Sequence, residues 1–558
     1  MNTTEQNFFF NRFIKNLKWQ IIFLAGIIFI LYGRTLSYEF IGLDEQSLLI
    51  EKKEFNQNLS NIPKAFTQHV FQSEDYTEAP GTIKFYRPLL TVSFIIDEQF
   101  SKDGLKKFHF SNILYHFIAV VGLLFVLIRL NVPSSLSFLL SLLFAVHPLL
   151  TQAIGWIPGR NDSIVCLFVL WSFYFLLKYL QIQSSKNIAL HFLFFTCALF
   201  TKENAVMFSL LCLYVLLFMH GKNLQVKKKI IFSVCYFLFI AIWYFIRESA
   251  VGEIKTDFSI STLYYSLLEN FPLILQYFQK TILPVNLSVM ASVQDTNYGW
   301  VLIVLTLFGT GIYFTKKIPW TEIFFGLLWF FIFLLPTLLF SYFEGMEHRT
   351  YLPAMGILIS LAYLEPIHNL AKNKKLLIGI FGTVILIFSY ITLGRIPIFS
   401  SELNYWKNAY ETSEHSAVVC RDYGVILTKL GDYENAEKVY LEGIKRNPKE
   451  TLLHYNLGVM YYRMKQYEEA KQQLAKELEI NSTNFMVFHV MGVIYEQQMR
   501  IEEAVPMWEE AVAINPKFTE SYKELLQYYS QKKDTVNFIR CKNELEKQGI
   551  KFERKPQP

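Results

Sequence analysis

The sequence predicts an all-α protein in two parts, a polytopic membrane helical bundle followed by a helical solenoid. Three observations carry this. Of 558 residues, 52% are hydrophobic and only 18% charged, more apolar surface than a soluble chain of this length ordinarily hides. Up to about residue 397 the apolar residues gather into long runs separated by short polar loops. Beyond it, Gly424, Gly458 and Gly492 recur every thirty-four residues, and Ala436, Ala470 and Ala504 keep the same interval.

The apolar runs come first in the chain. Stretches near 19–37, 110–130, 135–155, 163–182, 188–200, 204–220, 229–247, 299–315, 320–340, 351–367 and 376–396 suit bilayer crossings. Two of them, 188–200 and 204–220, are short and are expected to extend into their flanks. The first, Trp19 to Ser37, has no small-residue cleavage site and reads as a retained span. Stretch 264–285 is amphipathic and interrupted by Pro272 and Pro284, so it is expected to break there and lie in the interface as a non-crossing helix. Charge sets the orientation. Arg12, Lys15 and Lys18 precede the first span and place the N-terminus in the cytoplasm. Lys178 and Lys186, the run Lys227 to Lys229, Lys316 and Lys317, and the group Lys372, Lys374 and Lys375 then all face the cytoplasm, provided 264–285 does not cross. About eleven spans result. Loop 38–108 and the C-terminal region fall on the extracytoplasmic side. The net charge of +6 is thereby accounted for by cytoplasmic loops, and no nucleic-acid partner is expected. Cys166, Cys197, Cys212 and Cys235 lie within apolar runs and read as small buried hydrophobes. Cys420 and Cys541 lie at opposite ends of the repeat array, and no cluster of metal-binding spacing occurs.

The C-terminal region divides into repeats at about 417–450, 451–484 and 485–518. Tyr461 and Tyr495 stand three residues after the second and third glycines; Pro448 and Pro516 close the first and third units, and Ser482 replaces the proline of the second. Proline ends a helix because it cannot donate to the ladder, and small residues let paired helices approach closely. The pattern resembles the tetratricopeptide repeat, a helix-turn-helix of this period. In 519–548, Leu526 and Phe538 occupy the small-residue positions, so a capping helix pair is expected there. Segment 398–415, with Trp406 and Tyr410, is expected to form an entry helix on the first repeat, and Lys551 to Pro558 a frayed tail. The domains are thus 1–397, with an outer loop 38–108, and 398–550. Such arrays commonly bind an extended peptide in a groove. Tyr455, Asn456, Tyr462 and His489 are the candidate acceptor-groove residues, and packing positions are the alternative for each.

A series of motifs follows the outer loop. It opens with Ile41-Gly42-Leu43-Asp44-Glu45, an acidic pair just beyond a span. Then come Tyr86-Arg87-Pro88-Leu89, Phe108 to His116, Ala145-Val146-His147-Pro148, Gly159-Arg160-Asn161-Asp162, Thr201-Lys202-Glu203, and Glu347-His348-Arg349-Thr350-Tyr351-Leu352-Pro353. In this order, with the repeat behind them, they resemble the transmembrane and tetratricopeptide repeat O-mannosyltransferase-like family and its bacterial relatives, over about 20–518. The short array of three repeats favours a bacterial member. The chain departs from animal members in carrying Asp44-Glu45 where they have Asp-Asp, and an extra His348 in the Glu-Arg motif. These departures leave the acceptor and the sugar open.

The resemblance implies a GT-C-type membrane glycosyltransferase. Its donor would be a polyprenyl- or dolichyl-phosphate sugar, with mannose favoured, and its acceptor a protein hydroxyl. In a bacterium the reaction would face the periplasm from the inner membrane, and in a eukaryote the ER lumen. Physically, such transfer needs a base at the acceptor hydroxyl and cations at the departing phosphate. Asp44 is expected as the base, with Glu45 positioning the acceptor, although the exchanged roles fit the sequence equally. Like-charge neighbours raise one carboxyl toward use as a base. Arg87, Arg160, Lys202 and Arg349, all at outer span ends, are expected to hold the donor phosphate, with His147, Glu203 and His348 as active-site support. Anchoring to lipid phosphates is the alternative for the arginines, mutual pairing for Lys202 and Glu203, and a structural hydrogen bond for His147. No metal is predicted, although an Asp-Glu pair is capable of holding a divalent ion. Two other classes stay open: an envelope glycan or lipid glycosyltransferase, polymerase or ligase, and a non-enzymatic scaffold recruiting partners through its repeats.

Overall fold

A computed structural model describes residues 16–72, 84–100, 104–220, 224–252, 259–339 and 344–548. Arg12, Lys15 and the tail 551–558 lie outside the described residues. Within them the chain is helical; the isolated bridge of Ala291 with Gly345 is the single β pairing. Two compact units divide after Ser413.

In the first unit each expected apolar run is a helix. Six are long and apolar enough to cross a bilayer: Leu17–Ser37, Lys106–Arg129, Ile157–Ile182, Val226–Val251, Trp320–Leu338 and Lys374–Ser400. Ser134–Ala145 and Pro148–Gly155 make a seventh if counted as one span, bent by 47°. Ser185–Leu199, Glu203–Phe218 and Tyr298–Tyr313 are shorter apolar helices, and Tyr351–Ala362 has 12 residues. The chain is a multi-pass membrane protein. Lys106–Arg129 and Ile157–Ile182 are its inner helices, at 61% and 67% buried. Val226–Val251, at 17%, keeps most of its apolar surface outward, as a lipid-facing helix does.

Close helix contact fixes the core at two places. Trp320–Leu338 and Tyr351–Ala362 cross at Gly326 and Gly356. A Cβ on Gly356 would come 2.7 Å from the backbone nitrogen of Phe330, so only a bare backbone fits. Across that contact the Ser360 hydroxyl donates to the Ile323 carbonyl (2.8 Å). Earlier in the chain, Thr151–Gly155 doubles back through Ile157–Gly159 into Arg160–Ile182. There a Cβ on Gly159 would meet the Gln152 carbonyl at 2.7 Å. This corner positions the site.

Two expectations change. The helix Ile260–Ile282 runs unbroken through Pro272 and ends before Pro284. Its second half is built into protein, where Leu273, Ile274, Tyr277 and Phe278 join a buried cluster with Phe308, Phe330 and Leu334. Neighbouring helices thus support the bonds that proline frees. Helix Glu402–Thr412, expected to lead into the repeats, belongs to the first unit. Tyr405 is fully buried and accepts from Gln152 (3.3 Å), Thr412 donates to Ser288 (2.9 Å), and Ser413 bonds the Met290 carbonyl. Its apolar face thus has partners upstream in the chain.

The second unit is four helix pairs: Ala417–Leu430 with Tyr433–Arg446, Leu453–Arg463 with Tyr467–Ile480, Phe485–Gln497 with Ile501–Ile514, and Thr519–Gln531 with Thr535–Lys547. The periodic glycines lie where paired helices touch. A Cβ on Gly458 would stand 2.9 Å from Leu474 Cγ, while Gly424 faces Tyr440 and Gly492 faces Trp508. The last pair packs Tyr522, Leu525 and Leu526 with Trp508 in one cluster. Two further thirty-four-residue series take their meaning from the structure. Asn447, Asn481 and Asn515 close the second helices in extended backbone, each accepting from the N–H two residues on (3.1, 3.2 and 3.1 Å). These Asx turns explain how the second unit ends without a proline. Gly431, Lys465, Met499 and Lys533 all adopt positive φ, between 55° and 79°, at the turn inside each pair.

Left-handed backbone costs a non-glycine residue roughly 1–2 kcal/mol. Met499 is also 91% exposed. Met499→Gly is therefore expected to stabilise the third pair by about 1 kcal/mol. Gly458→Leu is expected to weaken the second by about 1–3 kcal/mol through overpacking. Amide hydrogen exchange over 453–514 in the full chain reads both effects. Equal exchange in Gly458→Leu and the parent would contradict the packing described.

Candidate active site

The acidic pair divides into two unlike carboxylates. Glu45 opens a short helical turn after an irregular stretch at Ile41–Leu43 and is 1% exposed. Its Oε2 accepts from the N–H of Ile41 (2.6 Å) and of Gly42 (3.2 Å), and the Ile157 backbone donates to it as well. Burial pushes its carboxyl up to about 7; the three backbone donors oppose that rise, and the charge of Asp44 adds to it. Asp44 is half-buried and makes no side-chain hydrogen bond to another described residue. Burial raises its carboxyl above the ordinary value, while Arg87 and Arg349 pull it back.

Three of the four expected cations gather in this field. Arg87 Nε donates to Glu203 Oε2 (3.2 Å), its guanidinium lies 4.3 Å over the Phe85 ring, and Glu203 Oε1 accepts from the Tyr86 N–H (3.0 Å). With the Asn161 amide turned to satisfy both neighbours, its oxygen accepts from Arg87 Nη1 (3.1 Å) and its nitrogen donates to the Thr201 carbonyl (2.9 Å). Lys202 Nζ donates to Asp162 Oδ1 (2.6 Å). Arg349 Nη1 donates to the Glu344 carbonyl (3.1 Å). Burial lowers the Lys202 ammonium, Asp162 holds it up, and Arg87 and Arg349 press it down. Burial and Arg87 likewise lower Arg349, to about 10. These mutual effects place the three cations within electrostatic reach of one another.

His348 shares that field. Burial, then Lys202, Arg349 and Arg87, hold its imidazole far below the usual range, so it is neutral at ordinary pH. Its N–H backbone donates to Gln152 (3.0 Å), and its ring centroid is 5.2 Å from that of Trp156.

Arg160 does not join them. It is fully buried, bonding Asp97 (2.5 Å), Asn112 (2.8 Å), Ser93 (3.3 Å) and the Phe108 carbonyl (2.6 Å), with the Phe94 ring 4.7 Å away. A guanidinium so engaged has no face for a phosphate, which corrects the expectation for this residue. His147 is likewise structural. It is 2% exposed; Nδ1 accepts from the Leu149 N–H (3.2 Å) and Nε2 donates to the Thr281 carbonyl (3.0 Å), supporting the bend between the two halves of that span. The motif Gly159 to Asp162 does reach the other cations, but through Asn161 and Asp162. Glu347 is a third residue to which the sequence analysis gave no role. Fully buried, it accepts from Arg395 and from the Ser288 N–H (2.7 Å), with Lys280 at 3.9 Å, and so fixes the turn carrying His348 and Arg349.

In the second unit, Tyr455 and Tyr462 pack against the cluster of Ala470, Leu474, Val487 and Ile494. His489 bonds Ser521 (3.0 Å) and lies on the Phe518 ring. Asn456 is half-exposed, and its side chain bonds no other described residue. Of the four groove candidates, it keeps its amide open.

The site invites comparison with known proteins. Residues 102–245 match the dolichyl-phosphate-mannose-protein mannosyltransferase family, and 422–450 and 439–472 match tetratricopeptide repeat families. The chain is 24% identical to human protein O-mannosyl-transferase TMTC3 over 492 residues, covering 79% of this chain and 53% of that protein. It is 27% identical to mouse protein O-mannosyl-transferase TMTC1 over 35% of this chain and 22% of that one, and 31% identical to human TMTC2 over 28% and 18%. Among solved structures, a crystal structure of MamA is similar over 26% of this chain and 89% of its own, at 15% identity and a TM-score of 0.24. A mannosyltransferase-type membrane domain followed by tetratricopeptide repeats is the class these matches define. The chain is similar to protein O-mannosyl-transferases of the TMTC group. It spans about half the length of TMTC3.

Breaking a buried ion pair by removing one partner costs about 3–5 kcal/mol. Arg160→Met should therefore lower the melting temperature of the detergent-solubilised chain sharply, and adding Asp97→Leu should restore part of it. An unchanged melting temperature with weakened lipid-phosphate binding would return Arg160 to the phosphate.

Proposed function

We propose that the chain is a membrane glycosyltransferase that moves a sugar, with mannose favoured, from a polyprenyl-phosphate donor to a protein hydroxyl on the extracytoplasmic side. The observation that carries this is the contrast at the acidic pair. Glu45 is held by backbone N–H groups, whereas Asp44 bonds no other described residue and lies in the field of Arg87 and Arg349. That is the arrangement inverting transfer from a lipid phosphate needs.

Asp44 takes the proton of the acceptor hydroxyl. The acceptor oxygen bonds to the anomeric carbon from the face opposite the phosphate. The carbon–oxygen bond to phosphate breaks, and its electron pair leaves with the polyprenyl phosphate. Arg87, Lys202 and Arg349 hold the charge of that leaving group, and preformed cations in a half-buried site do so without reorganising. The proton passes from Asp44 to solvent. Glu203, Asn161 and Asp162 hold the cations in place, and Glu45 fixes the loop that presents Asp44. The lysine distribution supports the outer face, periplasmic in a bacterium. The repeats support recruitment of a protein acceptor.

General-base catalysis contributes about 10²- to 10⁴-fold. In proteoliposomes with a polyprenyl-phosphate sugar, Asp44→Asn should lower turnover by that order, while Glu45→Gln, which keeps an acceptor for the Ile41 and Gly42 N–H groups, should retain much of it. Activity should fall as pH drops through the raised pKa of Asp44, because the base must be ionised. Arg87→Gln removes a cation that favours the ionised form, so this acid limb should move to higher pH. Normal turnover in Asp44→Asn would defeat the mechanism.

A further inference from the structure

Trp156 and His348 leave ring nitrogens unpartnered inside the site. Trp156 is 5% exposed and His348 8% exposed, yet Trp156 Nε1 and His348 Nδ1 have no hydrogen-bond partner among the described residues. Such atoms are costly, because a buried polar group without a partner loses water and gains nothing, and each calls for a reason. Packing is one reason for a tryptophan in a membrane protein. It does not explain two adjacent aromatic rings, 5.2 Å apart, each with an orphaned nitrogen.

Their place in the fold supplies another. Trp156 precedes Ile157, whose backbone donates to Glu45, so it adjoins the acidic pair. His348 precedes Arg349 and lies in the field of Lys202, Arg349 and Arg87. The two rings therefore link the carboxylate side of the site to the cation side. In a lipid-phosphate sugar, the group lying between the attacked carbon's acceptor and the phosphate is the sugar ring itself.

We infer that Trp156 and His348 form the sugar subsite, hydrogen-bonding hydroxyls of the donor's glycosyl group and thereby setting which sugar is accepted. The inference rests on the proposed use of a polyprenyl-phosphate sugar. Trp156 Nε1 donates, and neutral His348 both donates and accepts, so the pair suits a hydroxyl-rich ligand and reads the direction of individual hydroxyls. The backbone that carries each ring is held in place. Gln152 receives the His348 N–H and donates to the Val289 carbonyl (3.3 Å), and Asn112 donates to the Trp156 carbonyl (3.0 Å). A site built to bond a hydroxyl rejects an analogue that places it elsewhere far better than an apolar pocket does, because its own polar groups are then stranded.

The test compares three short-chain lipids binding to the full detergent-solubilised chain: polyprenyl-phosphate mannose, its glucose epimer and the bare polyprenyl phosphate. The parent should bind one sugar-bearing lipid about tenfold more tightly than the bare phosphate and more tightly than the epimer. Trp156→Phe, which keeps the ring and removes the N–H, should erase most of that preference, and His348→Phe should do likewise. Affinity for the bare phosphate should stay unchanged in both. A parent that binds all three lipids equally overturns the inference. So do variants that weaken all three by the same factor, since that marks a packing role. A transfer assay run alongside separates the two readings. Sugar preference without transfer leaves the subsite standing and removes the transferase, while transfer without sugar preference does the reverse.

Discussion

The site hangs on the buried guanidinium of Arg160. Its bonds reach Asp97 and Ser93 in the helix Pro88–Phe100, and Asn112 and the Phe108 carbonyl in the helix Lys106–Arg129. They tie the segment 88–112 to the corner at 155–160. From that corner the working groups spread over a few residues. Ile157 holds Glu45, Asn161 holds Arg87, and Asp162 holds Lys202. A charge buried in a membrane domain is expensive unless fully paired. Here the expense fixes one geometry for groups that arrive from distant parts of the chain.

A second node fixes the other wall. Glu347 draws in Arg395, Lys280 and the Ser288 N–H, joining the helix Lys374–Arg395, the helix Ile260–Ile282 and the loop after it. The turn Glu347–Thr350 begins there and leads into Tyr351–Ala362, which is clamped to its neighbour at Gly356. His348 and Arg349 are therefore presented from a short, doubly anchored segment. The two nodes engage their own carboxylates, while Asp44 bonds no other described residue.

Much of this was legible in the sequence, and the exceptions share a cause. Apolar run length located the membrane helices, and the thirty-four-residue glycine period located the repeat pairs, because each reflects a local rule. The order of motifs brought forward Asp44, Glu45, Arg87, Lys202 and Arg349, which act on one another electrostatically. Arg160 was misread because a sequence shows a cation at a span end but not whether its donors are already taken. Asp162 stood in a quoted motif and was passed over beside the arginine. Trp156 carried no signal: a tryptophan near a membrane boundary is ordinary, and its unpartnered N–H is visible only in three dimensions. Pro272 suggested a break because its ring removes a bond, and tertiary packing outweighed that local rule. Helix Glu402–Thr412 was given to the repeats by position along the chain, while its apolar face finds Gln152 and the 288–290 loop.

At the centre of this account are three cations, Arg87, Lys202 and Arg349, proposed to hold a lipid phosphate beside Asp44, a carboxylate that bonds no other described residue and lies in the field of Arg87 and Arg349. An experimental structure of the full chain in a nanodisc with bound polyprenyl phosphate tests it most directly. The account predicts the phosphate within hydrogen-bonding distance of at least two of those cations, with Asp44 facing it from the opposite side of the site. A phosphate bound at the other membrane face, or one held by Arg160 in place of these three, would contradict it.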